Sequence, residues 1–332
     1  MTGHSTIFQV NISDSTGHYA ERCIECHTVG YNKDAAAVND GFDDVASELG
    51  WVFPAKLQAN NWADIKTNFP RMAHLANVQC ENCHGPGSLH MGDKTKTDMT
   101  LDEGVCGRCH EEEPYHRKSI QWKESVHGMS YNELLALGTV SPSTRAGCAN
   151  CHSGWGFIRL VDPKTPDNRP TNGSPQISCA VCHDPHAGDN PAQVRILKDV
   201  MLGDSVTVVK KGGMGKICMQ CHVGRRDAED YAKVAANISA HFGPHYSNQA
   251  DMLFGANAIE YGMPTGSSGH KDVLENACVE CHMAATPAVG QAGRDKIGEH
   301  TWNMTHDNGT PDDESDDIEN VAACQPCHGP IK

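Results

Sequence analysis

Residues 179–186 read Cys-Ala-Val-Cys-His-Asp-Pro-His, and the first five of them form the motif Cys-x-x-Cys-His. The chain carries eight copies of this motif, and the copies use all 16 of its cysteines. The paired cysteines are Cys23 and Cys26, Cys80 and Cys83, Cys106 and Cys109, Cys148 and Cys151, Cys179 and Cys182, Cys218 and Cys221, Cys278 and Cys281, and Cys324 and Cys327. The histidines that follow them are His27, His84, His110, His152, His183, His222, His282 and His328.

This spacing is the attachment sequence for c-type haem. Two thiols form thioethers with the porphyrin side groups, and the next residue supplies the proximal imidazole to iron. The two-residue gap lets both sulfurs reach one edge of the macrocycle while the histidine turns under its face. We therefore predict eight covalently bound haem c groups (iron protoporphyrin IX).

Two other kinds of cysteine-rich protein are worth comparing. A zinc ribbon also uses paired Cys-x-x-Cys, and a secreted disulfide scaffold also has an even number of cysteines. Neither requires a histidine directly after each second cysteine. With 20 histidines in 332 residues, a histidine at all eight of these positions is not a coincidence.

The composition points to a fold whose core is haem. Leu, Ile, Val and Phe together number 56 of 332 residues, and the formal net charge is −15. A chain with so few large apolar residues and so much charge normally stays disordered. Eight flat apolar macrocycles would supply the missing core. We expect a mostly irregular chain with short α-helices and little β-structure.

Local patterns predict a few regular elements and a boundary. Ser130-x-x-Glu133 is a capping box that opens a short helix, residues 227–240 predict a longer one, and residues 193–210 predict a β-hairpin. Four motifs lie on each side of a polar stretch rich in glycine and proline, residues 153–178. We expect a tetrahaem N-terminal half, 1–155, and a tetrahaem C-terminal half, 156–332, unless haem packing merges them into one body.

Twelve histidines lie outside the motifs, which is enough to give every iron a second imidazole. Methionine is the alternative axial ligand and would raise the reduction potential. We predict that the distal ligands are His18, His90, His116, His127, His186, His245, His270 and His300. The alternates are His74, His241 and His306, and His4, near the chain end, is a candidate ligand to its own iron or to that of a neighbouring subunit.

Charge and chemistry also restrict partners and location. An acidic surface argues against nucleic acid and against anionic lipid. Haem is attached outside the cytoplasmic membrane, so we expect an exported protein, extracellular or periplasmic. Residues 1–10 contain no apolar stretch of signal-peptide length, and no apolar run in the chain is long enough for a transmembrane helix, so we expect a processed chain.

Several sequence segments around the motifs resemble those of multihaem c-type cytochromes of bacteria and archaea. They are Cys80-Glu-Asn-Cys-His-Gly-Pro-Gly-Ser, Trp122-x-x-Ser-x-His-Gly, Cys182-His-Asp-Pro-His and Pro244-His-Tyr-Ser-Asn-Gln-Ala-Asp-Met. Within this group, the small amount of protein per haem and the ample histidine are similar to bis-histidine electron-transfer cytochromes, including extracellular cytochrome nanowires. Hydroxylamine oxidoreductase, tetrathionate reductase and octahaem nitrite reductase share the haem number, but they are longer.

The resemblance implies an electron carrier without catalytic residues. It would pass single electrons along closely spaced bis-histidine haems to redox proteins or extracellular acceptors, and identical subunits would assemble if it forms a conductive filament. The alternative is an octahaem reductase or oxidase of small nitrogen or sulfur compounds, in which one iron would keep an open position.

Overall fold

The computed structural model describes residues 3–34, 36–93, 96–97, 99–129, 148–162, 177–190, 192–234, 247–263 and 266–330. Within these ranges most of the chain is irregular, the helices are short and each strand has two residues. The predicted fold class, loops and short helices with little β-structure, is confirmed.

The α-helices have between four and eight residues, too few to be stable alone, so their packing and the groups they carry must hold them. In chain order, α1 to α18 are Ile7–Asn11, Ile24–His27, Phe42–Glu48, Asn61–Asn68, Pro70–His74, Cys80–His84, Gly87–His90, Glu103–His110, Lys118–Lys123, Val126–Met129, Gly154–Val161, Cys179–Cys182, Lys216–Met219, Ala228–Lys233, Gln249–Phe254, His270–Val273, Cys278–His282 and Gln325–His328. The 3₁₀ turns are Gly3–Thr6, Glu21–Cys23, Gly213–Gly215, Glu299–Thr301, Glu314–Asp316 and Val321–Ala323.

Two antiparallel hairpins are present among the described residues. Strand β1 (Val200–Met201) pairs with β2 (Val208–Val209), with Val200 opposite Val209. The predicted hairpin is therefore confirmed, although its strands are shorter than the sequence pattern. The second hairpin pairs β3 (Thr305–His306) with β4 (Ile318–Glu319), and no sequence pattern pointed to it.

The predicted helix over residues 227–240 begins as expected but ends early, at Lys233, because Val234 has an extended backbone. Asp227 caps α14, where its carboxylate accepts a hydrogen bond from the Asp230 amide at 2.7 Å. The second part of that stretch, from residue 235, and the helix predicted from Ser130 both lie outside the described residues.

The chain folds into two compact units. One consists of Met1–Cys109 and Pro185–Gln193, and the other of His110–Asp184 and Val194–Lys332. The two tetrahaem halves, 1–155 and 156–332, concern how haems are grouped and stay a prediction.

The first unit contains a conventional apolar core. Its fully buried centre is Phe8, which contacts the rings of Tyr19, Phe42 and Trp62 at centroid distances of 6.2, 5.3 and 6.1 Å. Eight of the 19 aromatic residues lie in the first 80 residues, where they pack with aliphatic side chains. The buried members of this cluster are Phe8, Ile12, Tyr19, Ile24, Phe42, Val45, Ala46, Leu57, Ile65, Met72 and Ala76. Haem alone is not the core of this segment.

Two asparagines connect this core to the haem motifs. Asn77 Oδ1 accepts hydrogen bonds from the amides of Phe8 and Gln9, at 3.0 and 3.2 Å, and so satisfies the start of α1. Asn82, inside the second motif, donates from Nδ2 to the carbonyl of Thr28 at 2.8 Å, directly after the first motif. The first two motifs are therefore held to one folded body.

The second unit has a smaller cluster around the β1–β2 hairpin, made of Val200, Leu202, Val209, Met219, Ala250 and Ala277. Beside it, Asp251 is 1% exposed, and its carboxylate accepts hydrogen bonds from the amides of Gly203 and Gly224. A buried carboxylate needs such donors, so Asp251 fixes the turn of the hairpin to the loop that follows the sixth motif.

Candidate haem sites

The Cys-x-x-Cys-His motifs lie on short helical turns. Helices α6, α8 and α17 contain complete motifs, and residues 148–152 are helical as well. In a helix, residues i, i+3 and i+4 share a face, so both sulfurs and the imidazole of such a motif point to the same side. All sixteen cysteines belong to the described part of the chain, and none of them forms a disulfide.

Five motif histidines face a histidine from outside the motifs. Their ring centroids lie between 5.7 and 6.1 Å apart, in three perpendicular and two stacked arrangements. The pairs are His84 with His186 (6.0 Å), His110 with His116 (5.7 Å), His222 with His127 (6.0 Å), His183 with His300 (6.1 Å) and His328 with His270 (6.0 Å).

This separation is too large for direct ring stacking and fits a metal ion between the rings. A bond of about 2 Å from each nitrogen to the metal, plus about 1.1 Å from nitrogen to ring centre, puts two trans imidazole centroids about 6 Å apart. With the two sulfurs of each motif beside one member of the pair, the residues fit haem c bound through both faces of its iron.

Hydrogen bonds at Nδ1 orient two motif histidines for Nε2 coordination. His282 Nδ1 lies 3.0 Å from the carbonyl oxygen of Trp302, and His222 Nδ1 lies 3.3 Å from Gln249 Oε1. Both partners are acceptors, so Nδ1 carries the proton and Nε2 keeps its lone pair in the neutral ring. Such partners fix the tautomer and direction of a metal-binding histidine.

Burial lowers the pKa of two distal candidates and so favours their neutral form, the form that binds a metal. Burial, helped by the neighbouring His222, lowers the pKa of His127 to about 4. His127 also packs edge-on against the Trp302 ring at 4.7 Å. Burial likewise lowers the pKa of His300 to about 4, with a further contribution from the charge of Lys118.

A polar network holds the turn that carries His300. The side chain of Gln121, 1% exposed, donates from Nε2 to Asp295 Oδ1 (2.7 Å) and to Glu299 Oε2 (2.6 Å). Its Oε1 accepts a hydrogen bond from the His300 amide at 3.4 Å. Lys118 forms an ion pair with Glu299. Arg117 forms an ion pair with Asp295 at 2.6 Å, so both carboxylates are compensated, and α9 is fixed against the Glu299–Thr301 turn.

Cysteines of different motifs come close to one another. In the first unit, Cys109 Sγ lies 3.8 Å from the carbonyl oxygen of Cys26. In the second unit, a hydrogen bond with Cys221 lowers the pKa of the Cys151 thiol to about 6. The thiol of Cys218 is hydrogen-bonded to that of Cys278. Motifs that are distant in sequence are thus neighbours within each unit.

The zinc alternative requires four ligands around one point. Among the residues that the structure describes, no cluster of three or more His, Cys, Asp or Glu side chains is arranged for a metal ion.

Two family models match the chain. The model described as doubled CXXCH motif covers residues 172–227, and the model described as cytochrome c554 and c-prime covers residues 57–85 and 105–184. The first match contains the fifth and sixth motifs, and the second contains the second to the fifth motifs. The chain is a multihaem c-type cytochrome.

This cytochrome is similar to multihaem cytochrome MtrA of Shewanella baltica (strain OS185), with 22% identity over 184 residues. The match covers 49% of this chain and 48% of the relative, so it spans about half of that protein. Among solved structures, the undecahaem cytochrome from the S-layer of Carboxydothermus ferrireducens matches with 19% identity and a TM-score of 0.44. That match covers 77% of this chain and 39% of the other.

Five of the eight predicted distal histidines of the cytochrome thus face a motif histidine. His18 lies exposed near Asp14, and His245 lies outside the described residues. His90 Nδ1 accepts a hydrogen bond from the Gly92 amide at 3.2 Å, so in this conformation its Nε2 carries the proton, the reverse of the arrangement at His282. The assignment of distal ligands remains a prediction.

The residues that hold the His300 turn of the cytochrome could not be identified from the sequence. No pattern connects Gln121 with Asp295 or Glu299, because glutamine and carboxylates are common surface residues and both carboxylates lie more than 170 positions after Gln121. The only sequence signal near them is that Gln121 directly precedes Trp122, the first residue of the segment Trp122-x-x-Ser-x-His-Gly that resembles multihaem cytochromes. Among the described residues of the cytochrome, no helix has the length and apolar character needed to cross a membrane.

Proposed function

We propose that the protein is an electron carrier with eight haem c groups, each iron held by two imidazoles. Haem c supplies one-electron chemistry when bound, through the ferric and ferrous states of its iron. The observation that carries the proposal is the set of five imidazole pairs at 5.7 to 6.1 Å. The remaining irons, at His27, His152 and His282, would take a second imidazole from the other histidines outside the motifs.

The pairs assign distal ligands to specific motifs. On this proposal His186 serves the second motif, His116 the third, His300 the fifth, His127 the sixth and His270 the eighth. Only His116 lies close in sequence to its own motif, six residues after His110. The other four come from distant positions, so ligation by these side chains would cross-link segments that are far apart in the sequence.

Close approach of different motifs supports electron passage between them. Each thioether sulfur is bonded directly to a porphyrin side group, so two sulfurs in contact bring two macrocycle edges within a few bonds of each other. Cys151 with Cys221, and Cys218 with Cys278, provide such contacts. They support a route from the fourth to the sixth and on to the seventh motif.

The distal imidazoles also favour a carrier over an enzyme. An octahaem reductase or oxidase would need an iron with an open position for its substrate, whereas an iron between two buried imidazoles has none. His127 and His300 are well buried and packed against Trp302, and so would not leave readily.

Carbon monoxide binding tests this choice. The fully reduced protein is titrated with carbon monoxide, and the oxidised protein is examined by electron paramagnetic resonance. A carrier with every site closed shows only low-spin ferric signals and no carbon monoxide adduct. A stoichiometric adduct or a high-spin signal from one haem contradicts the proposal and supports the enzyme alternative.

The proposal extends to location and partners. Covalent haem attachment supports an exported protein, periplasmic or extracellular, that exchanges electrons with redox proteins or extracellular acceptors. The acidic charge, −15 before haem is counted, disfavours nucleic acid. Assembly into a filament, with His4 as an intersubunit ligand, stays a prediction. Electron microscopy of the native material tests it, because filaments support assembly and single particles contradict it.

A further inference from the structure

Helix α11 connects two neighbouring motifs in the second unit. It begins two residues after His152 of the fourth motif, where Ser153 Oγ accepts a hydrogen bond from the Gly156 amide at 3.3 Å. It packs against α12, which carries the two cysteines of the fifth motif. Phe157 and Ile158 are 2% and 5% exposed, so the helix is fixed in place by its apolar face.

Arg159, the next residue of this helix, has unsatisfied donors. Its Nε and Nη2 atoms are both buried, and neither has a hydrogen-bond partner among the described residues. A guanidinium group stays charged at any pH that proteins experience. A buried charge without a partner is strongly destabilising, so a folded protein normally supplies a counter-charge at such a position.

The two unsatisfied atoms identify the shape of the missing partner. Nε and Nη2 lie on the same edge of the planar guanidinium and can donate two parallel hydrogen bonds. This edge matches the two oxygens of a carboxylate, the geometry of the strongest arginine pairs. The site therefore fits a carboxylate that the described part of the chain does not supply.

We propose that Arg159 binds the carboxylate of a haem propionate, from the haem of either the fourth or the fifth motif. Both motifs adjoin α11, and propionates are the anionic groups that a motif-bound haem would bring to this position. The inference rests on the proposed function only in requiring haem at these two motifs. Arg195 provides a contrast, because its guanidinium already donates to the carbonyl oxygens of Ala180 and His183.

The arginine would also raise the reduction potential of the haem it contacts. A positive charge beside the macrocycle stabilises the added electron, and the effect is large where water is excluded. Removing the charge should lower that potential, whereas a lysine, which keeps the charge but not the two-donor edge, should retain part of it.

The test combines redox titration with structure determination of the haem-loaded protein. Arg159→Gln is expected to shift one of the haem potentials downwards, and Arg159→Lys to shift the same potential less. Arg71→Gln is the matched control, because it removes the same charge from an exposed pair with Glu48. It should leave all haem potentials where they are.

An electron cryomicroscopy map of the haem-loaded wild type shows which of the two haems supplies the propionate. The inference expects Arg159 Nε and Nη2 at hydrogen-bond distance from one propionate, and the map shows whether it belongs to the fourth or the fifth haem. A guanidinium that contacts only protein or water overturns the inference even if every haem is present and low-spin. Haem counts on each variant separate this failure from failure of the proposed function. If Arg159→Gln cannot be produced with full haem content, the wild-type map and the haem potentials of Arg159→Lys still test the inference.

Discussion

The imidazole rings of His84 and His186 lie 6.0 Å apart, centre to centre, with their planes 4° from parallel. His84 ends the second motif, and His186 follows the fifth motif by only three residues. On the proposed function, a single iron joins these two rings, and the loop after the fifth motif serves another motif's haem.

Replacing His186 with alanine is therefore expected to open one iron. The variant should show one high-spin ferric component and should bind one equivalent of carbon monoxide when reduced, because a distal imidazole is lost and its pocket stays. Asp189→Ala, which changes an exposed residue of the same loop, is the matched control and should bind none. A His186→Ala protein that remains fully low-spin and does not bind carbon monoxide would show that this ring is not a ligand.

Gln121 is expected to be important for the His300 turn. Gln121→Leu keeps the volume but removes the donor shared by Asp295 and Glu299, leaving one buried and one half-buried acceptor less well satisfied. A lost buried hydrogen-bond partner costs about 1–3 kcal/mol, so the free energy of unfolding in denaturant should fall by that amount. Lys123→Ala, at the exposed end of the same helix, should change it by no more than about 0.5 kcal/mol. Equal effects from both variants would argue against the network.

The aromatic core of the first unit predicts a second stability effect. Phe8 is fully buried between three aromatic rings, and Phe→Ala at such a site typically costs about 3–5 kcal/mol. Phe8→Ala should therefore speed hydrogen exchange of the amides in α3 and α4. Val10→Ala changes an exposed residue of the same helix and should leave those rates unchanged. If Phe8→Ala leaves exchange in these helices unaltered, haem rather than this cluster holds the segment.

The β1–β2 hairpin should weaken in acid through Asp204. Burial acts to raise the pKa of Asp204, but hydrogen bonds from the Thr207 hydroxyl and from the amides of Val206 and Thr207 outweigh it, so the pKa is lowered. The stabilisation is complete above the unfolded-state pKa of about 4 and is lost as the pH falls through the lower folded-state pKa.

Hydrogen exchange of the Leu202 amide, which donates to the Thr207 carbonyl, reports on this turn. Its protection, corrected for intrinsic rates, should decrease below about pH 4 in the wild type. In Asp204→Asn it should be lower at neutral pH and show no such acid step. An identical acid step in the variant would mean that other carboxylates control the hairpin.

What the sequence could predict depended on how local the signal was. The haem motifs and the β1–β2 hairpin are formed by residues close together in the sequence, so the local sequence pattern was enough to predict them. The cluster around Phe8 was missed because its members are spread from residue 8 to residue 76 and the low overall aromatic content hid their concentration. The pairing of His127 with His222 could not be predicted, since no local pattern connects side chains 95 positions apart.

Intact mass spectrometry of the purified native protein tests the central claim most directly. If every Cys-x-x-Cys-His motif carries haem c, the mass exceeds that of the 35.9 kDa polypeptide by eight haem groups, and the addition survives denaturation because it is covalent. An addition of seven or fewer haem groups in fully matured protein would contradict the account.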